Sequence, residues 1–138
     1  MLFRSAVAQR NVADYTLQDR INLIRSDLFT NLVEKSYDLV ISNPPYVTDR
    51  TMDVLPPEYR HEPAIALAGG EDGLDAVRAI VRDAPRFLNP GGLLVVEVGS
   101  GRSAVEAAFP RMPFVWVASP SADDAVFAIS REEIVAGR

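Results

Sequence analysis

Short apolar runs along this chain alternate with stretches whose apolar residues recur at helical spacing. Runs rich in β-branched residues predict strands, and apolar positions three or four residues apart predict helices. The predicted strands cover residues 21–25, 39–41, 93–98, 114–117 and 125–129, and the predicted helices cover 5–15 and 74–88. We expect the last two strands to form a hairpin around residues 120–124. The glycines at 69–73 predict a turn in which Asp72 can cap the second helix, and Asn-Pro-Gly-Gly at 89–92 predicts the end of that helix. We expect 93–98 to be a central parallel strand that is buried on both faces. Strands that alternate with helices and end in a close pair predict an α/β three-layer sandwich.

The predicted strand at 39–41 is followed, after Ser42, by Asn43, Pro44, Pro45 and Tyr46. The two prolines lack a backbone donor and force the preceding residues into extended conformations, so the strand must end there. We call residues 43–46 the corner. Open α/β sheets bind ligands at the carboxyl ends of their strands, so the corner lies at a favoured position for a binding site. A simple turn after a strand is the alternative interpretation, and four residues alone do not decide between the two.

The chemistry of this corner suits a planar group that carries an –NH2. The Asn43 side chain can donate and accept, and the Pro44 carbonyl can accept, so together they can hold both hydrogens of such a group. The nitrogen of an amide or an aminopurine is a poor nucleophile because its lone pair is delocalised. Alignment with an electrophilic methyl group is therefore the main contribution that the protein can make.

A second polar position follows the predicted strand at residues 21–25. Asp27, followed by Leu28, lies just past that strand end, where it could cap a turn or contact a ligand, and the residue itself leaves both roles open. His61 and Glu62 lie in a long proline-containing segment at residues 47–68. A single His without an identified partner does not define a catalytic base, so the sequence assigns neither residue a role.

Composition narrows the possible classes of protein. The 138 residues include no Cys and one His, which excludes disulfides and thiolate chemistry and disfavours a metal site. The net charge of −5 and the scattered basic residues disfavour a groove for nucleic acid. No apolar run reaches the length of a membrane span, and no secretion signal opens the chain. We therefore expect a cytoplasmic protein that binds no membrane.

Several motifs resemble one enzyme family when they are taken together. They are Arg-Ser-Asp-Leu at 25–28, Asn-Pro-Pro-Tyr-Val at 43–47, Leu-Pro-Pro-Glu-Tyr-Arg-His-Glu-Pro at 55–63, Ala-Leu-Ala-Gly-Gly-Glu-Asp-Gly-Leu at 66–74, Asn-Pro-Gly-Gly at 89–92 and Val-Glu-Val-Gly at 96–99. The sequence from 26 to 129 resembles the C-terminal part of the catalytic domain of N5-glutamine protein methyltransferases that depend on S-adenosylmethionine. The Arg-His-Glu-Pro form at 60–63 and the stretch at 112–116 resemble the branch that acts on ribosomal protein L3 more than the release-factor branch.

This resemblance implies a class I (Rossmann-like) methyltransferase fold and methyl transfer to a glutamine side-chain nitrogen in a translation protein. It implies that Asn43 and Pro44 hold the glutamine amide and that Pro45 and Tyr46 shape its slot. It also implies that Asp27 and Leu28 flank the adenine of S-adenosylmethionine, with Asn43 next to the cofactor. Ribosomal protein L3 is the favoured substrate, followed by a release factor.

The chain also departs from the family pattern. This sequence contains neither the family's N-terminal substrate domain nor its glycine-rich cofactor loop, so we expect residues 1–138 to be part of a catalytic domain that is truncated at the N-terminus. We expect the chain alone to bind the cofactor weakly and to be inactive. The family's sheet would then have exposed strand edges, which predicts either direct pairing of the strands at 21–25 and 39–41 or a homodimer.

Two alternatives remain open. The apolar strand at 93–98 followed by Gly99-Ser-Gly101 resembles a cofactor loop, as in permuted amino-methyltransferases that act on adenine of DNA or RNA, although a Gly-x-Gly alone is a weak signal. The other alternative is a non-catalytic fragment or degenerate paralogue. The sequence does not reveal whether Met1 is the true start, which protein is the substrate or what the oligomeric state is.

Overall fold

A computed structural model of the chain describes residues 2–33, 35–48, 69–119 and 122–138. The chain divides into two compact units, Met1–Val33 and Glu34–Arg138. The predicted helix at 5–15 is confirmed as α1 (Leu2–Asp14) in the first unit. A turn follows it, in which the amide of Leu17 donates to the carbonyl of Val12.

The predicted strand at 21–25 is wrong. These residues have no regular secondary structure, and the side chains of Ile21, Leu23 and Ile24 are 41–43% exposed. A strand is stable only where a neighbouring strand pairs with its backbone groups, and no strand in the described part of the chain pairs with this segment. An alternating pattern of apolar residues is therefore not sufficient to form a strand here. Because residues 21–25 form no strand, the predicted direct pairing with the strand at 39–41 is wrong as well.

The second unit contains a four-stranded mixed sheet in the order β1-β2-β4-β3. Its strands and helices, in chain order, are β1 (Tyr37–Ser42), α2 (Asp75–Asp83), β2 (Leu88–Glu97), α3 (Arg102–Ala108), β3 (Val115–Ser119), β4 (Ala122–Ser130) and α4 (Arg131–Ala136). β1 is parallel to β2, and β4 is antiparallel to both β2 and β3. The predicted hairpin is therefore confirmed, and the sheet with its helices confirms the α/β class.

The predicted helix at 74–88 is shorter than expected. α2 ends at Asp83, a 3-10 turn covers Ala84–Arg86, and β2 already begins at Leu88. Residues 89–92 lie within β2 as a bulge, because Tyr37 pairs with Leu88 whereas Leu39 pairs with Leu93. Asn-Pro-Gly-Gly therefore interrupts a strand and does not end the helix.

One face of the sheet supplies the core of this unit. Leu94 and Val96 of β2 and Phe127 and Ile129 of β4 are at most 1% exposed. The apolar side chains of α2 and α4 are buried in the same core, including Val77, Ile80, Val81 and Ile134. Phe127 also packs against the Phe114 ring at 4.6 Å and the Trp116 ring at 5.6 Å between centroids.

The opposite face of the sheet is open, so the expectation that 93–98 is buried on both faces is wrong. Leu39 pairs with Leu93 across β1 and β2, and both side chains are exposed, by 49% and 44%. Ile41 is 71% exposed, and Val115 at the other edge is 62% exposed. Residues of one strand alternate between faces, so these side chains share the face that is opposite to the core. None of the described helices is both long and apolar enough to cross a membrane.

Candidate functional site

The corner after β1 presents three groups at the carboxyl end of a strand. Asn43 is exposed, Pro44 is buried, and Tyr46 is 38% exposed. No residue in the described ranges forms a hydrogen bond with the Asn43 side chain or with the Pro44 carbonyl. The exposed Asn43 amide is therefore available to a ligand, and the carbonyl of the buried Pro44 has no partner among the described residues.

Tyr46 is held against a glycine at the end of β2. A Cβ on Gly99 would lie 2.7 Å from Cε2 and 3.0 Å from Cζ of the Tyr46 ring. Gly99 also has a φ of +54°, which favours glycine. The ring therefore lies in the space that any side chain at position 99 would need, and the carboxyl ends of the two parallel strands meet at this contact.

A glycine-rich turn supports the corner from another direction. A Cβ on Gly73, which has a φ of +78°, would lie 2.5 Å from the carbonyl oxygen of Tyr46. The amide of Gly69 donates to the carbonyl of Val47 at 2.8 Å. From the sequence, the glycines at 69–73 predict only a turn, and neither Gly73 nor Gly99 is connected to the site. The only sequence signal was the glycine itself, because the partner in each contact is distant along the chain.

Asp72 fixes this turn through two sets of contacts. Its carboxylate accepts from the amide of Leu74 at 3.1 Å, and it forms an ion pair with Arg78 at 2.5 Å. The hydrogen bond from the Arg78 guanidinium lowers the pKa of Asp72 from 3.8 to about 2. The carboxylate lies just before α2, whose N-cap is Leu74 and has no side-chain cap. The predicted capping role is therefore replaced by an ion pair with the helix.

We predict that Asp72→Asn lowers the free energy of unfolding at neutral pH by up to about 1 kcal/mol, because both side chains are 45% exposed and the pair is screened by solvent. A carboxylate whose pKa is depressed on folding stabilises the protein above its unfolded pKa. This stabilisation declines as the pH falls from about 4 towards about 2. Urea unfolding of both proteins across that range should show the two curves converging. Glu71→Gln, in the same turn, is the control, and a constant difference down to acidic pH would contradict the prediction.

Acidic side chains line a recess beside this turn. The recess has a volume of about 680 Å³ and is lined by Thr48, Glu71, Asp72, Asp75 and Arg78. Three carboxylates against one guanidinium give the recess a negative charge at neutral pH. Such a surface next to the corner repels phosphate groups.

The second predicted contact region, around Asp27, is a well-defined turn in the first unit. The Asp27 carbonyl accepts from the amide of Thr30 at 3.0 Å and from its hydroxyl at 2.6 Å. The turn is therefore made by the backbone of Asp27, and its exposed carboxylate has no partner among the described residues. Leu28 has a φ of +46°, which costs a non-glycine residue roughly 1–2 kcal/mol. Strained residues of this kind cluster at ligand sites.

Some of the predicted features lie outside the described residues. They include His61, Glu62 and the matching stretch at 55–63. The cofactor-loop alternative for residues 99–101 is disfavoured, because the Tyr46 ring fills the space beside Gly99. Gly101 instead precedes α3, which is a helix of only seven residues.

Comparison with known proteins identifies relatives over nearly the whole chain. A family model described as methyltransferase small domain matches residues 4–55, which include Asp27 and Asn43. A ribosomal protein uL3 glutamine methyltransferase of Neisseria meningitidis serogroup B is 50% identical over 129 residues, which is 94% of this chain and 42% of the relative. Proteins of the same name from Bordetella pertussis and Burkholderia pseudomallei are 48% and 46% identical over 93% and 95% of this chain, and 43% and 45% of their own lengths.

The chain spans less than half the length of these curated relatives. The α/β sheet of the second unit agrees with the class I methyltransferase fold that the matched family implies. Enzymes of this family generally use S-adenosylmethionine. The resemblance inferred from the sequence motifs is thus confirmed: over nearly its whole length the chain is similar to ribosomal protein uL3 glutamine methyltransferases, and residues 4–55 match a methyltransferase small domain.

Proposed function

We propose that this chain is part of a class I catalytic domain that transfers a methyl group from S-adenosylmethionine to the side-chain nitrogen of a glutamine in ribosomal protein L3. A release factor is the second candidate substrate. Either substrate would place the reaction in the cytoplasm. The observation that carries the proposal is the exposed Asn43 side chain at the end of β1, which has no hydrogen-bond partner among the described residues. The unpaired Pro44 carbonyl and the Tyr46 ring, which packs against Gly99, follow it in the chain.

Asn43 and Pro44 would orient the substrate nitrogen. The Oδ1 atom of Asn43 accepts one hydrogen of the glutamine –NH2, and the carbonyl of Pro44 accepts the other. Both groups lie at the end of a rigid strand and two prolines, so the nitrogen is held without further ordering of the backbone. As the nitrogen forms its new bond, these two acceptors stabilise the positive charge that develops on its hydrogens. Pro45 and Tyr46 flank the planar amide and fix its orientation.

The cofactor side of the reaction involves Asp27, Leu28 and Asn43. The free Asp27 carboxylate is a suitable acceptor for the exocyclic amino group of an adenine, and the exposed Leu28 side chain can cover an apolar ring face. When bound, S-adenosylmethionine supplies the electrophilic methyl group. We propose that these residues are one portion of the cofactor site and that the 138-residue chain by itself binds the cofactor only weakly.

The charge of the site favours a protein substrate over a nucleic acid. The acidic recess at Glu71, Asp72 and Asp75 adjoins the corner, and the net charge of the chain is −5. The polyanionic backbone of a nucleic acid would gain no favourable electrostatic interaction with this surface. A basic ribosomal protein is compatible with it.

The test is an NMR titration of the isotope-labelled chain with a glutamine-containing peptide from ribosomal protein L3. We expect shifts of the Asn43 side-chain amide and of the Tyr46 ring, and no shifts with the same peptide carrying glutamate. Calorimetry with S-adenosylmethionine should give a millimolar dissociation constant or weaker. Equal responses to the two peptides, or binding of an oligonucleotide in preference to the glutamine peptide, would overturn the proposal.

We also propose that two copies of the chain associate through the outer edge of β1. No described strand pairs with this edge, and Leu39 and Ile41 beside it are exposed. An antiparallel pairing centred on Val40 would bring Leu39 of one copy opposite Ile41 of the other. Unpaired apolar edge strands readily pair with another chain.

We predict that Ile41→Lys keeps the protein monomeric, because the edge would then carry a charge. Sedimentation velocity of the wild type should show a concentration-dependent dimer that this variant lacks. Val115→Lys is the matched control, since Val115 has a similar exposure but lies on the strand at the other edge of the sheet. A monomeric wild type, or equal disruption by both substitutions, would contradict the assignment of the interface to β1.

A further inference from the structure

Tyr46 is held from two sides by backbone turns that are distant from it along the chain. Gly99 faces its ring, and Gly73 faces its carbonyl oxygen. Both glycines have a positive φ, and neither position has room for a Cβ. The orientation of the ring is therefore not determined by the Asn-Pro-Pro-Tyr segment alone.

We propose that Gly99 is a positioning residue that sets the orientation of the Tyr46 ring and thereby the width of the amide slot beside Asn43. The role of the slot rests on the proposed function, whereas the placement of the ring rests on the structure alone. A Cβ at position 99 would lie within 3.1 Å of three ring carbons, so the ring would have to move. Since Tyr46 is 38% exposed, its ring can move outward without disrupting the core.

Gly73 has a related but less separable role. Its Cβ would lie 2.5 Å from a backbone oxygen, and a backbone atom cannot move as easily as a side chain. We therefore expect Gly73→Ala to destabilise the whole turn at 69–73, whereas Gly99→Ala should keep the fold and change the slot. Gly99→Ala is consequently the informative substitution.

Gly91 provides a matched control within the same strand region. It has a φ of +76°, which lies in the same left-handed region as those of Gly73 and Gly99, but a Cβ there would meet nothing within 4 Å. Gly91→Ala therefore imposes the backbone strain of a positive φ without a clash. The difference between Gly99→Ala and Gly91→Ala measures the displacement of the ring.

The experiment compares ring resonances of Tyr46 and binding of the L3 glutamine peptide in the wild type and in both variants. We expect Gly99→Ala to shift the Tyr46 ring and Asn43 side-chain resonances and to weaken peptide binding by about tenfold, which is the effect expected when about one polar contact with the ligand is lost. Gly91→Ala should leave both readouts at their wild-type values.

A double substitution separates the clash from other effects of Gly99→Ala. In a Tyr46→Ala background the ring is absent, so Gly99→Ala should cost less stability than it does beside the intact ring. Tyr46→Phe retains all ring carbons and should not relieve the clash. Unchanged Tyr46 resonances in Gly99→Ala would overturn the inference, whatever the peptide does. If the wild type fails to bind the peptide while the ring still shifts, the proposed function fails and the positioning role stands.

Discussion

Asn43→Ala is expected to weaken recognition of the glutamine side chain strongly while leaving the fold intact. The substitution removes one of the two groups that hold the substrate –NH2, which should weaken peptide binding by about ten- to a hundredfold. In an active assembly the rate of methyl transfer should fall by about 10²–10³, as it does when one preorganised polar group is lost from an active site. The free energy of unfolding should change by no more than about 0.5 kcal/mol, because the side chain is exposed and makes no hydrogen bond with a described residue.

The measurement is the NMR titration with the L3 peptide, together with urea unfolding of the same samples. Asn11→Ala is the matched control, because Asn11 is also an exposed asparagine but lies on α1. Wild-type affinity in Asn43→Ala would exclude the amide from substrate binding. A large loss of stability would instead indicate that Asn43 has a structural role.

Phe127→Ala is expected to lower the free energy of unfolding by about 3–5 kcal/mol. Phe127 is fully buried, and it pairs across the sheet with Val96 on one side and Trp116 on the other. Its ring also contacts Phe114 and Trp116, so truncation leaves a cavity that these large rings cannot collapse to fill. Small domains are stable by only about 5–15 kcal/mol, so this loss should bring the second unit close to unfolding.

Fluorescence of Trp116, which is the single tryptophan of the chain, reports the transition directly in urea. Phe127→Leu keeps most of the volume and should cost less than half as much. Val115→Ala, on the exposed face of the same sheet, should change the stability only slightly. A loss below about 1 kcal/mol for Phe127→Ala would contradict the placement of this ring in the core.

The parts of the fold that could be predicted from the sequence are those with strong local signals. Leu39 to Ile41 followed by two prolines specified both a strand and its end, and β1 stops at Ser42. Residues 21–25 have an equally good alternating pattern but form no strand, because the pattern does not provide a pairing partner. Residues 89–92 have a strong stop signal but lie within β2, because the neighbouring strand tolerates a bulge there.

The candidate site likewise has residues that the sequence identifies and contacts that only the structure reveals. Asn43 and Tyr46 could be identified from the order of residues, since the chemistry of an amide, a carbonyl and a phenol at a strand end is local. Gly73 and Gly99 could not be connected to them, because each contact joins segments that are far apart in the sequence. Asp72 was predicted as a helix cap, and the ion pair with Arg78 became evident only from the geometry of the turn.

The sequence by itself determined where β1 must end and which groups stand at that end, because proline removes a backbone donor and restricts its neighbour wherever it occurs. Only the tertiary structure decided which face of the sheet is buried and what holds the Tyr46 ring. Alternation along a strand defines two faces but does not say which face the helices cover, and a glycine permits a close approach without specifying the residue that approaches.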